Sequence, residues 1–212
     1  MALIYDAELH PGKLELISDW LPRARWFPST EPVTARKLGA FRFEDPEGAV
    51  GIETLIVAAG SLVVQVPLTY RDAPLAGAER FLITEMDHSV LGRRWVYDAA
   101  GDPVYAAALE AALFSRQGQA PQYTERDGVR ELLPESMRVF TSGMPDGAEL
   151  ADAPAQEPQD WTVSVLEQSG WELSVVRLLD LDGRTAPDPS LQATWEGQDF
   201  PVVLAWGMPN AG

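Results

Sequence analysis

The sequence of 212 residues has no cysteine and only two histidines. The absence of cysteine excludes disulfides, thiolate nucleophiles and cysteine zinc sites, and it favours a reducing compartment. His10 and His88 are too far apart in sequence for a His-x-x-x-His zinc pair, and few histidines leave little scope for general base catalysis at neutral pH. Both histidines are predicted to be structural, with His88 paired to Asp87 or to a turn carbonyl.

Basic charge and long apolar runs are also scarce. The net charge is -16, and the excess of acids is greatest after residue 116. Such a polyanion repels phosphate backbones and anionic lipid, so nucleic acid and membrane surfaces are excluded as partners. Runs such as Leu55–Ala59 fall far short of the roughly 20 apolar residues that span a bilayer, and residues 1–6 lack the basic region of a signal peptide. The predicted location is cytoplasmic.

Motifs for nucleotide and ester chemistry are missing as well. Gly12-Lys13 is followed by Leu14 where a phosphate loop requires Ser or Thr, and no two glycines stand two residues apart. Glu167 occupies the first glycine position of a nucleophile elbow around Ser169. Asp182-Gly183 fits a tight turn better than a calcium loop. The sequence therefore predicts no catalytic, cofactor-binding or metal-binding residues and no cofactor, which leaves enzymatic activity uncertain and disfavoured.

The patterns that are present predict an α+β fold. A β-rich hairpin is expected at Ile52–Val57 and Leu62–Thr69 around Gly60, with further strands nearby in the first half. Helices are predicted after Pro11, with Leu14, Ile17, Trp20 and Leu21 on the apolar face, and after the cap Asp102 and Pro103, with Ala107, Leu109, Leu113 and Phe114 on the apolar face. The fold class is a mainly antiparallel sheet with two helices in the first half and a small all-β unit in the second.

Composition divides the chain into three regions. Residues 1–116 form the α+β unit, and residues 117–160 form an acidic connector rich in proline and glycine with one strand at Met137–Ser142. Residues 161–212 form a small β unit packed on the first.

One basic and aromatic constellation stands out in this acidic chain, and it forms the candidate ligand or partner surface. Indole rings stack on sugar faces and guanidinium groups bind hydroxyls, so this set is suited to a carbohydrate. The same residues are equally typical of tryptophan core packing with arginines paired to acids. The residues of this candidate surface are Arg25, Trp26, Tyr70, Arg71, Arg94 and Trp95.

These residues also belong to three segments with a family resemblance. In their order and spacing, the runs Trp20–Phe27, Gln65–Arg71 and Trp95–Pro103 resemble the N-terminal cap of maltokinases, which phosphorylate maltose in the trehalose-to-glucan route. The likeness covers roughly residues 12–116. The whole chain is similar to stand-alone actinobacterial proteins built around this cap, without a kinase lobe.

The departures from the kinase pattern decide what the resemblance implies. Arg177 stands where a phosphate-pairing lysine is expected, Gln192 replaces a partner glutamate, and the catalytic loop and magnesium motif have no counterpart. A functional kinase is therefore rejected. The resemblance implies a non-catalytic accessory or interaction module in maltose, trehalose or α-glucan (glycogen) metabolism, with a protein partner or a maltose-type sugar. The alternatives are a maltooligosaccharide-binding module and a carboxylate-based enzyme acting on a small metabolite.

Overall fold

The fold is taken from a computed structural model that describes residues 2–4, 9–115, 117–126, 129–142 and 161–210. The described residues form two α-helices and three sheets whose strands pair antiparallel with one exception. This confirms the α+β class, with two helices in the first half and an all-β unit later in the chain. The strands are β1 (Ala2–Ile4), β2 (Leu9–His10), β3 (Ala35–Phe43), β4 (Gly51–Ala59), β5 (Leu62–Arg71), β6 (Leu82–His88), β7 (Gly92–Asp98), β8 (Gln122–Arg126), β9 (Val129–Leu132), β10 (Met137–Ser142), β11 (Val163–Gln168), β12 (Trp171–Val176), β13 (Ser190–Trp195) and β14 (Gln198–Pro209).

The first half of the chain builds a six-stranded antiparallel sheet in the order β2-β6-β7-β5-β4-β3. Its centre is the predicted hairpin β4–β5, in which Ala59 pairs with Leu62 across a turn where Gly60 has a φ of 64°. Glycine adopts this left-handed conformation without the steric cost that a side chain would add. β5 pairs with β7 only from Leu68 to Arg71, so its first half leaves an edge open on that side.

Helix α1 (Lys13–Trp20) packs on one face of this sheet. Leu16 and Ile17 are its buried residues, and they lie in a core with strand residues such as Leu55 and Val66. The prediction that Leu14 belongs to the apolar face is wrong, because its side chain is 36% exposed.

Helix α2 (Pro103–Phe114) lies on the opposite face of the sheet. It begins as predicted, since the Asp102 side chain accepts a hydrogen bond from the Val104 amide and Pro103 occupies the first turn. Its buried residues include Tyr105, Leu109 and Leu113, whereas the predicted core residue Ala107 is exposed. Because α2 packs among strands of two sheets, apolar residues are buried on more than one side of it.

The second half contributes a five-stranded antiparallel sheet in the order β10-β13-β14-β12-β11. Its buried residues share one core with α2 and with Phe41, Phe43, Ile52 and Ile56 of the six-stranded sheet. A third sheet has the order β1-β8-β9, in which β1 and β8 pair in parallel. Two of its strands, β8 and β9, lie where composition predicted a connector, and residues 143–160 fall outside the described part of the chain.

The two larger sheets meet at the open edge of β5. After β12 the chain runs beside β5, where Leu178 bridges Val64 and the Gln65 amide donates to the Arg177 carbonyl. The Gln65 side-chain amide reaches across to donate to the carbonyls of Val176 and Leu204. These bonds satisfy backbone groups of the second sheet at the edge of the first, so the junction carries hydrogen bonds as well as apolar contacts.

Candidate functional site

The structure distributes the candidate surface over both faces of the six-stranded sheet. Tyr70 pairs with Val96 in the strand register, and Arg71 pairs with Trp95. Successive side chains of a strand point to opposite faces, and Val96 belongs to the core under α1. Tyr70 and Arg94 therefore lie on the α1 face, whereas Arg71 and Trp95 lie on the other.

The two tryptophans of the candidate surface are consequently separated by the sheet. Trp26 is half-buried at the α1 core, where its ring meets Trp20 edge-on at 5.8 Å and Phe27 at 6.1 Å between ring centroids. Trp95 is half-buried on the other face, and Arg25 is exposed beside Trp26 in sequence. Trp26 and Trp95 thus do not form one continuous aromatic platform.

Arg71 binds the residue that caps the start of helix α2. Its Nε and Nη2 donate to the two carboxylate oxygens of Asp102, each at 2.7 Å. Burial alone would raise the pKa of Asp102, but the Arg71 bonds and the Val104 amide lower it. A bidentate guanidinium–carboxylate pair also fixes geometry. Arg71 therefore holds the residue that caps α2, and the cap segment is tied to the sheet.

Arg177 joins the end of β7 to the second half of the chain. Its side chain has no exposed surface, and its Nη2 donates to Asp98 Oδ1 at 2.6 Å. Its Nε donates to Ser164 Oγ at 2.7 Å, and its guanidinium lies 5.1 Å from the Trp26 ring centroid. Asp98 also accepts from the Ala100 amide. One arginine thus connects the runs Trp20–Phe27 and Trp95–Pro103 with β11.

Sequence reasoning considered Arg177 only as a substitute for a kinase lysine. In the structure its nearest carboxylate belongs to Asp98, and its guanidinium faces an indole ring. Within the described residues, Arg177 Nη1 and Trp26 Nε1 are buried without a hydrogen-bond partner. A long charged side chain within the largely apolar run Leu173–Leu179 was the available signal, because such a charge requires a partner when buried.

A second charged cluster was missed by the sequence reasoning, and it is built around Glu53 on β4. The Glu53 side chain is 8% exposed, and its Oε2 lies 2.6 Å from Lys13 Nζ and 3.5 Å from Arg42 Nη2. The Tyr70 hydroxyl donates to the same oxygen at 3.0 Å. Burial on its own would raise the pKa of Glu53, but Arg42, Lys13 and the Tyr70 bond bring it down to about 2. Glu53 is therefore an ionised, paired carboxylate at neutral pH.

Burial and the neighbouring charge of Glu53 also act on Tyr70. Together they raise its pKa well above the ordinary value of 10, so the phenol stays protonated and remains a donor. Lys13 Nζ lies 5.7 Å from the Tyr70 ring centroid, within the range of a cation–π contact. The first residue of α1 is thereby fixed above the sheet at Glu53 and Tyr70.

These residues belong to a polar row that crosses the sheet in strand order. By strand alternation, each of five adjacent strands places one of these residues on the α1 face. In strand order they are His88 on β6, Arg94 on β7, Tyr70 on β5, Glu53 on β4 and Arg42 on β3. We call this set, together with Lys13 of α1, the polar row. The neighbouring residues on the same strands and face are apolar, namely Met86, Val96, Leu68, Leu55 and Ala40. The polar row therefore marks the limit of the core under α1.

His88 has a structural partner at this end of the sheet. Its Nδ1 accepts hydrogen bonds from the amides of Val90 and Leu91, and its pKa is lowered by burial and by the positive charges of Arg94, Lys13 and Arg42. Turn amides therefore bind His88 Nδ1, while its pairing with Asp87 or a turn carbonyl stays a prediction. Across the described ranges no group of three or more histidine or acidic side chains is arranged to hold a metal ion, and no described helix is long and apolar enough to cross a membrane.

Comparison with known proteins adds one family. Residues 20–102 match the maltokinase N-terminal cap domain, a narrower range than the likeness over residues 12–116 predicted from the motifs. No curated protein sequence matches the chain. The matched range begins at Trp20, includes β3 to β7 and ends at Asp102, the cap of α2. Over this range, the chain resembles the maltokinase N-terminal cap domain.

Proposed function

We propose that this protein is a non-catalytic accessory or interaction module of maltose, trehalose or α-glucan metabolism. The pathway is suggested by the family of residues 20–102. The observation that carries the non-catalytic role is the engagement of the motif side chains: Arg71 binds Asp102, while Asp98 binds Arg177 beneath Trp26. Because these side chains are held in internal ion pairs, they stabilise the fold. Contacts with a partner would then be made by other residues on the surface.

The buried carboxylate Glu53 supports the same interpretation over a carboxylate-based enzyme. A general acid or base works best when its pKa lies near the operating pH. The pKa of Glu53 is about 2, because Arg42 and Lys13 stabilise the ionised form. At neutral pH this carboxylate neither donates a proton nor accepts one readily, so its chemistry fits an ion pair of the framework.

Maltooligosaccharide binding is the alternative for the candidate surface. Trp95 retains exposed area and lies directly across from Arg71 in the strand register, so the two side chains share one face of the sheet. Arg71 is already engaged by Asp102 through two donors. The interaction role therefore has the stronger support, and we place the protein in the cytoplasm with a protein partner.

The interaction role is tested by affinity capture from the native host, followed by titration of the purified partner. The expected partner is an enzyme that acts on maltose, trehalose or α-glucan, bound with a Kd below about 10 µM, or roughly 7 kcal/mol of binding free energy. Arg25→Glu reverses an exposed charge of the candidate surface and should weaken binding at least tenfold, whereas Arg36→Glu, exposed on β3, serves as the matched control.

The non-catalytic part has its own assay. The purified protein, incubated with ATP, magnesium and maltose, should form no maltose phosphate. Formation of that product, or hydrolysis of maltooligosaccharides by the protein alone, would overturn the proposal. Failure of every such enzyme to bind at tens of micromolar would overturn the interaction role in the same way.

A further inference from the structure

The polar row carries more positive charge than negative charge. Lys13 and Arg42 share one carboxylate, that of Glu53, within ion-pair distance. Arg94 makes no ion pair within the described residues, and its one side-chain hydrogen bond goes to the Arg93 carbonyl at 3.3 Å. Three cations thus stand against one anion, in a protein whose net charge is -16.

These cations are not ordinary solvated surface charges. The Arg42 side chain is only 16% exposed and that of Lys13 27%. Arg42 Nε is buried without a hydrogen-bond partner among the described residues. Removing guanidinium donors from water without a partner is costly, so an anion that accepts from them would bind favourably. Arg94 is half-buried on the same face, two residues along β7 from Val96, which pairs with Tyr70.

The start of helix α1 adds to this field. Lys13 is its first residue, and the Gly12 amide before it donates to Glu15 Oε2 at 3.2 Å. Unpaired amides in the first turn place partial positive charge at a helix N-terminus, and here the Glu15 carboxylate in the same turn offsets part of it. Burial lowers the pKa of His88, and the positive charges of Arg94, Lys13 and Arg42 lower it further.

We propose that the polar row binds a phosphate group, held by Arg94, Arg42 and Lys13 at the N-terminal end of α1. The charges fit a dianion, since Lys13 and Arg42 share the single carboxylate of Glu53 and Arg94 has no carboxylate at ion-pair distance among the described residues. Guanidinium groups match phosphate oxygens in geometry, and an ammonium adds a point charge. Inorganic phosphate and a sugar phosphate share this chemistry.

The phosphate site does not depend on the interaction role proposed above, because a module can bind an anion with or without a protein partner. It also requires no phosphoryl transfer, since the ligand is bound through hydrogen bonds and charge alone. Failure of phosphate binding would therefore leave the interaction role standing, and failure of partner capture would leave the phosphate site standing.

The test is titration of the purified full chain at neutral pH by calorimetry and by amide chemical shifts, at ionic strength held constant with chloride. The probes are inorganic phosphate, glucose 6-phosphate and glucose. Phosphate-containing probes should bind saturably in the millimolar range or tighter and shift the amides around Lys13, Tyr70 and Arg94, whereas glucose should not. Tighter binding of glucose 6-phosphate than of phosphate would identify a sugar phosphate as the source, and the reverse would identify the free ion.

Variants on one strand provide the control. Arg94→Gln should weaken binding at least fivefold, and Arg42→Gln should weaken it as well. Arg93→Gln removes a neighbouring charge on the opposite face, 61% exposed and paired with Glu85, and should leave binding unchanged. Thermal melts of each variant without ligand establish that the fold is retained. Equal losses in Arg93→Gln and Arg94→Gln, or no saturable shifts with either phosphate probe, would overturn the site.

Discussion

Two buried carboxylates of the six-stranded sheet, Asp98 and Glu53, meet their cations in different ways. Asp98 faces Arg177, which is fully buried and also bound to Ser164. Glu53 faces Lys13 and Arg42 at the limit of the α1 core, with Arg94 on the same face. The first arrangement is a closed pair that joins two parts of the fold. The second has surplus positive charge, which makes it suited to a ligand.

The largest expected effect comes from breaking the closed pair. Arg177→Met keeps much of the side-chain volume but leaves Asp98 buried without its cation, so the free energy of unfolding should fall by about 3–5 kcal/mol. Chemical denaturation measures the change. In the double variant with Asp98→Asn, a substantial part of the loss should be recovered; an additive loss would show that the two side chains do not act as a pair.

Trp26 and Trp95 differ in what they pack against, and this predicts different losses of stability when each is truncated. Trp26 packs against Trp20, Phe27 and Arg177, so Trp26→Ala should cost about 3 kcal/mol or more. Trp95 lies half-buried on the other face of the sheet, so Trp95→Ala should cost about 1 kcal/mol. Denaturant midpoints compare the two, with Trp26→Phe as a milder control. Equal losses would contradict the separate roles.

A smaller effect should appear at low pH. Because the pKa of Glu53 is lowered from 4.5 to about 2, its stabilising contribution is complete above pH 4.5 and is lost as the pH falls towards 2. The stability difference between wild type and Glu53→Gln should therefore be constant at higher pH and shrink through this window. A difference that stays constant down to pH 2 would show that the ionised form of Glu53 does not stabilise the fold.

Local patterns predicted much of the first half of the fold. The run of β-branched residues around Gly60 predicted the β4–β5 hairpin, and Asp102 before Pro103 predicted the start of α2. In both places the deciding interactions lie within a few residues. The strands β8 and β9 escaped prediction because acids, glycine and proline surround them, and β8 gains a parallel partner in β1 from far along the chain.

The charged clusters could not be predicted for a related reason. Lys13, Arg42 and Glu53 come from three elements, and only the strand register and the position of α1 bring them together. The lone acid at Glu53 within an apolar strand was a visible signal that went unused, as was the lone charge at Arg177. The sequence did identify Tyr70, Arg71, Arg94 and Trp95 as notable, but the alternation of β5 and β7 divides them between two faces.

Titration with maltotriose, observed through the indole resonances of Trp26 and Trp95, tests most directly whether the motif residues serve the fold or a sugar. If they serve the fold, millimolar maltotriose leaves both resonances and the melting temperature unchanged. Saturable shifts at these indoles, with a rise in melting temperature from binding to the native state, would contradict the proposed scaffold role and establish a sugar-binding module.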